Sequence, residues 1–191
     1  MFNIPCIIFA GGKSSRMGED KALLPFGNST SLTHYQYTRL SQLFCKVYIS
    51  TKHAKFDFEA PLLLDDLDTT VYAPTAGFNT LFSQLHDERF FIISVDTPFI
   101  SHNEISMLIK HDNASYDATI AKTPSGTHPM CGIYHRSLSE KFTTMLKTND
   151  HKLGQLLKNA HTNYVMFEDE HPFTNINHPH EYHEAKHLLN H

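Results

Sequence analysis

Residues 4–10 read IPCIIFA, an unbroken apolar run that ends abruptly at Gly11-Gly12. A strand with one face in water alternates apolar and polar residues. A strand apolar throughout is covered on both faces, which is the condition of a parallel sheet. Parallel neighbours need long crossovers, usually helices. The remainder of the chain has that form: short β-rich runs alternate with segments of helical period, the signature of βαβ units. "SLTHYQYTRLSQLF" (31–44) predicts a helix, with apolar residues at Leu32, Tyr35, Leu40, Leu43 and Phe44 and Ser31 as its cap. Strands are predicted at 46–50 and 61–65, then a helix at 76–86. RFFIISVD, at 89–96, is the strongest strand and runs into the polar tip DTP. A helix near 103–111 precedes strands near 118–121 and 130–134. Helices near 138–147 and 152–159, a strand at 164–167 and a helix at 179–189 complete the series. The expectation is a single α/β domain over residues 1–191, three-layered and Rossmann-like, with a mostly parallel sheet and helices on both faces.

Charge restricts the partners. Sixteen Lys and Arg against 20 Asp and Glu give −4 with histidines neutral, so the basic surplus of a nucleic-acid binder is missing. An anionic ligand has to be held by local chemistry. The run 4–10 is too short to span a bilayer and has no basic segment before it, so neither membrane nor export is expected. Cys6, Cys45 and Cys131 are odd in number and form no C-x-x-C pair. They read as free thiols in a reducing cytoplasm.

In open α/β sheets ligands bind beyond the carboxyl ends of the strands, and the loop after the first strand is the usual phosphate site. Here that loop is AGGKSSRMG (10–18). Gly11 and Gly12 can take conformations that other residues avoid, letting successive N–H groups converge on an anion. Lys13, Arg16 and Lys21 add positive charge. Two familiar phosphate loops fail: the Walker pattern would put its first glycine at Ile7, and the dinucleotide pattern meets Lys13 where its second glycine belongs. Asp96 closes a strand before Thr97-Pro98, and Pro98 cannot continue a central ladder, so the carboxylate should lie at the mouth of the same site. Magnesium suits one such carboxylate together with substrate phosphates. A plain strand-ending aspartate in a turn is the alternative reading.

The stretch G-G-x-S-x-R-M-G followed by Asp20-Lys21 resembles the signature of the nucleotidyltransferases, and within them the molybdenum cofactor guanylyltransferases. The resemblance runs along nearly the whole chain, through APTAG (73–77), SVDTPFI (94–100), HPMCGIYHRSL (128–138) and FTNINHPHEY (173–182). It implies a nucleotide-diphospho-sugar-transferase-like fold and transfer of GMP from GTP to the terminal phosphate of molybdopterin or Mo-molybdopterin, with pyrophosphate released. It implies Mg2+ as cofactor, with Asp96 as its ligand. Arg16, Lys21 and Asp96 become the catalytic set. Phe9, Ala10, Gly11, Gly12, Lys21, Ser50, Asp66, Gly77 and Asp96 become the nucleotide contacts, with Asp66 the aspartate that reads guanine. Asn177 becomes a contact to metal or acceptor, although a turn or helix cap before Pro179 explains it equally well. Molybdenum-insertion proteins and apo-molybdoenzyme chaperones enter as further candidate partners. The alternatives are a cytidylyl- or other nucleotidyltransferase acting on a pterin or a sugar or polyol phosphate, and a non-catalytic module that delivers cofactor.

Two further features stay ambiguous at this level. His128-Pro129 fits either the pterin side or a turn before the next strand. His183 and His187 match H-E-x-x-H on one helical face, but a catalytic zinc also needs a third ligand and a cleft. A solvated helix is the expected reading.

Overall fold

The computed structural model describes residues 1–12, 17–65 and 73–189. Its elements, in chain order, are β1 (Cys6–Phe9), α1 (Leu32–Ser41), β2 (Val47–Thr51), β3 (Leu62–Leu64), α2 (Pro74–Gln84), β4 (Arg89–Ser94), α3 (His102–Lys110), β5 (Ala118–Thr123), β6 (Gly126–His135), α4 (Ser139–Lys147), α5 (Leu153–Asn159), β7 (Thr162–Met166) and α6 (Pro179–Leu189). Every expected strand and helix is present. Short 3-10 turns at Lys21–Leu23, Arg136–Leu138 and His171–Phe173 were not anticipated.

The sheet has seven strands in the order β3-β2-β1-β4-β6-β5-β7. Only β6 runs against its neighbours, so the sheet is mostly parallel as the apolar runs require. Alternate residues of the central strands feed two separate cores. Cys6, Ile8, Phe91 and Ile93 pack on one face with Leu32, Leu40, Ile105 and Ala185 from α1, α3 and α6. Ile7, Phe9, Phe90 and Ile92 pack on the other with Phe78, Phe142 and Leu156 from α2, α4 and α5. The second core centres on Phe78 and Phe142, stacked with centroids 4.2 Å apart. A fully buried aromatic of this kind contributes about 1.5–3 kcal/mol by leaving water.

One strand is longer than its pattern suggests. The strand expected at 130–134 starts at Gly126 and pairs with β5 through a two-residue Pro124-Ser125 turn. Pro124, Gly126 and Pro129 made this stretch look like a loop. Pro129 is accommodated because the register of β5 and β6 shifts after Ile120, which leaves the proline outside the regular ladder.

Register decides where chemistry can occur. Phe9 lies opposite Ser50 of β2 on one side and Ser94 of β4 on the other. Three strands therefore end at one level, and the ladder closes there with Ala10 N donating to Ser50 O at 2.9 Å and Val95 N to Phe9 O at 3.0 Å.

Candidate active site

Beyond those strand ends lies a cleft of about 630 Å³, lined among others by Phe9, Gly11, Gly12, Lys21, Ser50, Gly77 and Asp96. These residues come from separate segments of the chain, and all had been expected from the sequence as site residues. Arg16 and Asp66 lie outside the described residues.

The glycines work differently from expectation. Neither Gly11 nor Gly12 has a positive φ, so the special backbone freedom anticipated there is not used. Their contribution is the missing side chain: a Cβ on Gly12 would meet nothing within 4 Å among the described residues, and both glycines line the cleft. Of the glycines lining the cleft, Gly77 is the one with no room for a side chain. A Cβ there would come within 2.6 Å of both the Phe9 ring and Ser50 Oγ, so α2 can press against the tips of β1 and β2 only because this residue has none.

Both ends of the glycine loop are clipped by Lys55, a residue the sequence reading passed over. Its ammonium donates to Ala10 O at 3.1 Å and pairs with Asp20. Asp20 in turn caps the Lys21–Leu23 turn by accepting from Ala22 N at 3.1 Å. Lys21 is thereby aimed into the cleft. Its Nζ pairs with Asp96 Oδ2 and also donates to Asn177 Oδ1 at 3.2 Å and Ile176 O at 3.3 Å. Three residues expected separately thus meet at one point. The Asn177 side chain is free for this because Glu181 takes over capping of α6, accepting from the backbone N–H groups of Asn177 and His178 at 2.6 and 2.9 Å.

Asp96 leaves β4 in a turn held by Thr97 Oγ1, which donates to Ser94 O at 2.9 Å. While Oδ2 pairs with Lys21, the buried Oδ1 has no hydrogen-bond partner among the described residues. A buried carboxylate oxygen without a donor is costly, and a hard cation would satisfy it. No group of three His, Cys, Asp or Glu side chains among the described residues could hold a metal alone. The donor set therefore suits an ion that completes its shell with phosphate and water, as magnesium does.

Two charged residues in the cleft were missed. Lys52 lines it and is nearly buried. Asp65, expected only as the last residue of the strand 61–65, is 8% exposed with Oδ1 unpaired among the described residues. Burial pushes the Asp65 carboxyl above its ordinary range, against the hydrogen bond from Thr80 and the charge of Lys52. The apolar strand directly before it was the available signal: a carboxylate one step past LLL is carried in by the strand.

A second cleft of about 430 Å³ adjoins the first through Ser94 and Met130, and His128, Phe173 and Asn175 line it. His128 stands within β6, not in a turn. Its ring lies 4.8 Å from Phe173, and burial lowers its affinity for a proton. His183 and His187 are exposed on α6 with no metal cluster around them among the described residues.

The profile of the MobA-like NTP transferase domain matches residues 6–164. A protein of Campylobacter jejuni strain RM1221 named molybdenum cofactor guanylyltransferase is 39% identical over 184 residues, covering 96% of each chain. One of the same name from Helicobacter pylori strain G27 is 37% identical, covering 92% of this chain and 88% of its own. Among solved structures, molybdopterin-guanine dinucleotide biosynthesis protein A from Archaeoglobus fulgidus superposes with a TM-score of 0.82 at 17% identity, over 98% of this chain and 99% of that one. The 2-C-methyl-D-erythritol 4-phosphate cytidylyltransferase of Thermus thermophilus superposes with a TM-score of 0.73 at 16% identity over the full length of both, which shows the shared fold. Gly11 and Gly12 in one cleft with a lysine–aspartate pair at the ends of parallel strands, in a chain matched along most of its length, lead to one conclusion: the chain belongs to the MobA-like NTP transferase domain family.

Proposed function

We propose that this protein transfers GMP from GTP to the terminal phosphate of molybdopterin or Mo-molybdopterin, forming the guanine dinucleotide cofactor and releasing pyrophosphate. The observation that carries the reading is Asp96: a buried carboxylate with one oxygen on Lys21 and the other without a partner among the described residues, lining one cleft with Gly11 and Gly12. The two substrates come from the name of relatives 39% identical over 96% of this chain.

In this reading residues 10–18, with Arg16 and Lys21, hold the triphosphate, and Asp96 would hold Mg2+ together with the phosphates. Bound magnesium supplies neutralisation of the charge that builds on the phosphates. Phe9, Ser50 and Gly77 shape the nucleoside side, and Asp66 accepts from the two N–H groups on guanine's pairing edge. Asn177 orients the acceptor. An oxygen of the acceptor's terminal phosphate attacks the α-phosphorus in line, and the bond to the β-phosphate breaks. A phosphate nucleophile is already ionised at neutral pH, so no general base is needed; the protein contributes positioning and preorganised charge. The reaction belongs in the cytoplasm, where Cys6, Cys45 and Cys131 remain free thiols. Molybdenum-insertion proteins and apo-molybdoenzyme chaperones are the proposed downstream partners.

The test is pyrophosphate release from GTP, CTP, ATP and UTP in the presence of molybdopterin. Turnover with GTP alone in the parent, with that preference relaxed in Asp66→Asn, is the expected result. A preference for CTP, or GTP binding with no pyrophosphate released, overturns the assignment.

A further inference from the structure

We propose that Gln36 is a positioning residue for Asp96, and that helix α1 sets the placement of the Lys21–Asp96 pair. Gln36 has no exposed surface and stands between Leu32 and Leu40 on the core-facing side of α1, where helical spacing calls for an apolar residue. Its Nε2 donates to the carbonyl oxygens of Thr97 and Val95 at 3.1 and 3.2 Å and lies 3.4 Å from that of Ser94. Its Oε1 accepts from Arg39 Nε at 2.7 Å, and Arg39 Nη1 donates to Ile100 O. The whole turn that presents Asp96 is therefore held by two side chains of one helix. The carbonyl of Asp96 itself is taken by Ile176 N at 2.9 Å, next to Asn177.

The same face of α1 also locates the partner. Thr33, fully buried and one turn before Gln36, donates through Oγ1 to Ala22 O at 2.7 Å. Ala22 follows Lys21 directly. Both halves of the ion pair thus take their position from Thr33 and Gln36. Turn carbonyls that lack ladder partners could be satisfied by water if stability were the only demand. Instead a planar amide fixes their direction, and it does so beside an Arg39 whose Nη2 is buried with no partner among the described residues. Local cost of this kind marks functional placement. Displacing a reacting group by about 1 Å can cost a hundredfold in rate.

The inference rests on Asp96 holding the metal, so the experiment measures both. Mn2+ binding to the GTP-loaded protein, followed by electron paramagnetic resonance, is compared in parent, Gln36→Met, Gln36→Glu and Thr33→Val. The kcat and KM for GTP are measured at a temperature where circular dichroism shows each protein folded. Gln36→Met keeps the volume without the amide, and Gln36→Glu keeps the acceptor for Arg39 while losing the donors. Both should weaken Mn2+ binding and lower kcat by about tenfold, as for other outer partners of metal ligands, with little change in KM. Thr33→Val should lower kcat with smaller loss of Mn2+ affinity. If the Gln36 variants fail to fold, Arg39→Lys, which keeps the charge without the fork, should give the same pattern. A folded Gln36 or Arg39 variant that melts earlier but binds Mn2+ and turns over like the parent overturns the proposal. A parent that binds no Mn2+ with GTP refutes the metal reading itself, and the proposal with it.

Discussion

Two buried aspartates lie at opposite ends of β4 and are provided for in opposite ways. Asp112, beside the start of the strand, has a side chain with no exposure, and both oxygens are engaged. Arg89 Nη1 donates to Oδ2 at 2.6 Å, while Thr119 Oγ1 and His135 Nε2 reach Oδ1 at 2.7 and 2.9 Å. Asp96, beyond the end of the strand, has a side chain 12% exposed, with one oxygen on Lys21 and the other unpaired among the described residues. The first arrangement joins α3, β4, β5 and β6 and is complete in itself. The second is incomplete among the described residues. In the proposed function this difference puts stability at one end of β4 and chemistry at the other.

The comparison breaks most readily at Asp96. Asp96→Asn should lower kcat by about 10²–10³, or about 2.7–4 kcal/mol, while the thermal midpoint stays close to that of the parent. Steady-state kinetics beside a melt decides this; normal turnover would remove Asp96 from the reaction. Asp112→Asn should do the reverse. Removing one member of a buried ionic cluster costs about 3–5 kcal/mol, and the low end applies because Arg89 is 42% exposed. Urea unfolding should show that loss, with kcat of the folded protein unchanged.

Acid sharpens the contrast further. Burial alone would raise the Asp112 carboxyl, but the hydrogen bonds from His135, Thr119 and Arg89 and the charge of His135 outweigh it and hold the group below its ordinary range. Its contribution is therefore complete above the unfolded carboxylate pKa of about 3.9 and disappears as pH falls through the lower folded value. Melting temperature against pH should drop more steeply below about pH 4 in the parent than in Asp112→Asn. Asp65 carries the opposite sign and the smallest effect. Its raised carboxyl binds a proton more tightly folded than unfolded, so its ionised form weakens the fold as pH rises. Asp65→Asn should melt slightly higher than the parent at neutral pH, and the gain should vanish in acid. A lower melt at neutral pH would mean that the Thr80 and Lys52 contacts outweigh burial.

How much of this the chain discloses depends on what kind of contact is involved. Strands covered on both faces must be apolar throughout, so β1 and β4 are legible, and residues at their tips, Phe9 and Asp96, follow directly. The start of β6 is not legible, because Pro124, Gly126 and Pro129 have the composition of a loop and only the paired β5 makes a strand of them. Lys55 and Lys52 are obscured for a related reason: a lysine after a strand carries no sign of which carbonyl or cleft it will meet. Gln36 did leave a trace. A polar residue between Leu32 and Leu40 interrupts the apolar stripe of α1, and such an interruption needs a buried partner. Only the folded chain identifies that partner as the turn around Asp96.

The central claim is that the Asp96 oxygen left without a partner among the described residues takes a metal ion carried with the nucleotide. Anomalous diffraction from crystals grown with GTP and Mn2+ tests it directly. The account predicts a peak at coordination distance from Asp96, about 2 Å for a hard divalent ion, with phosphates lying against residues 10–21. A nucleotide bound with no ion at Asp96, or an ion elsewhere with the Lys21–Asp96 pair intact, would contradict it.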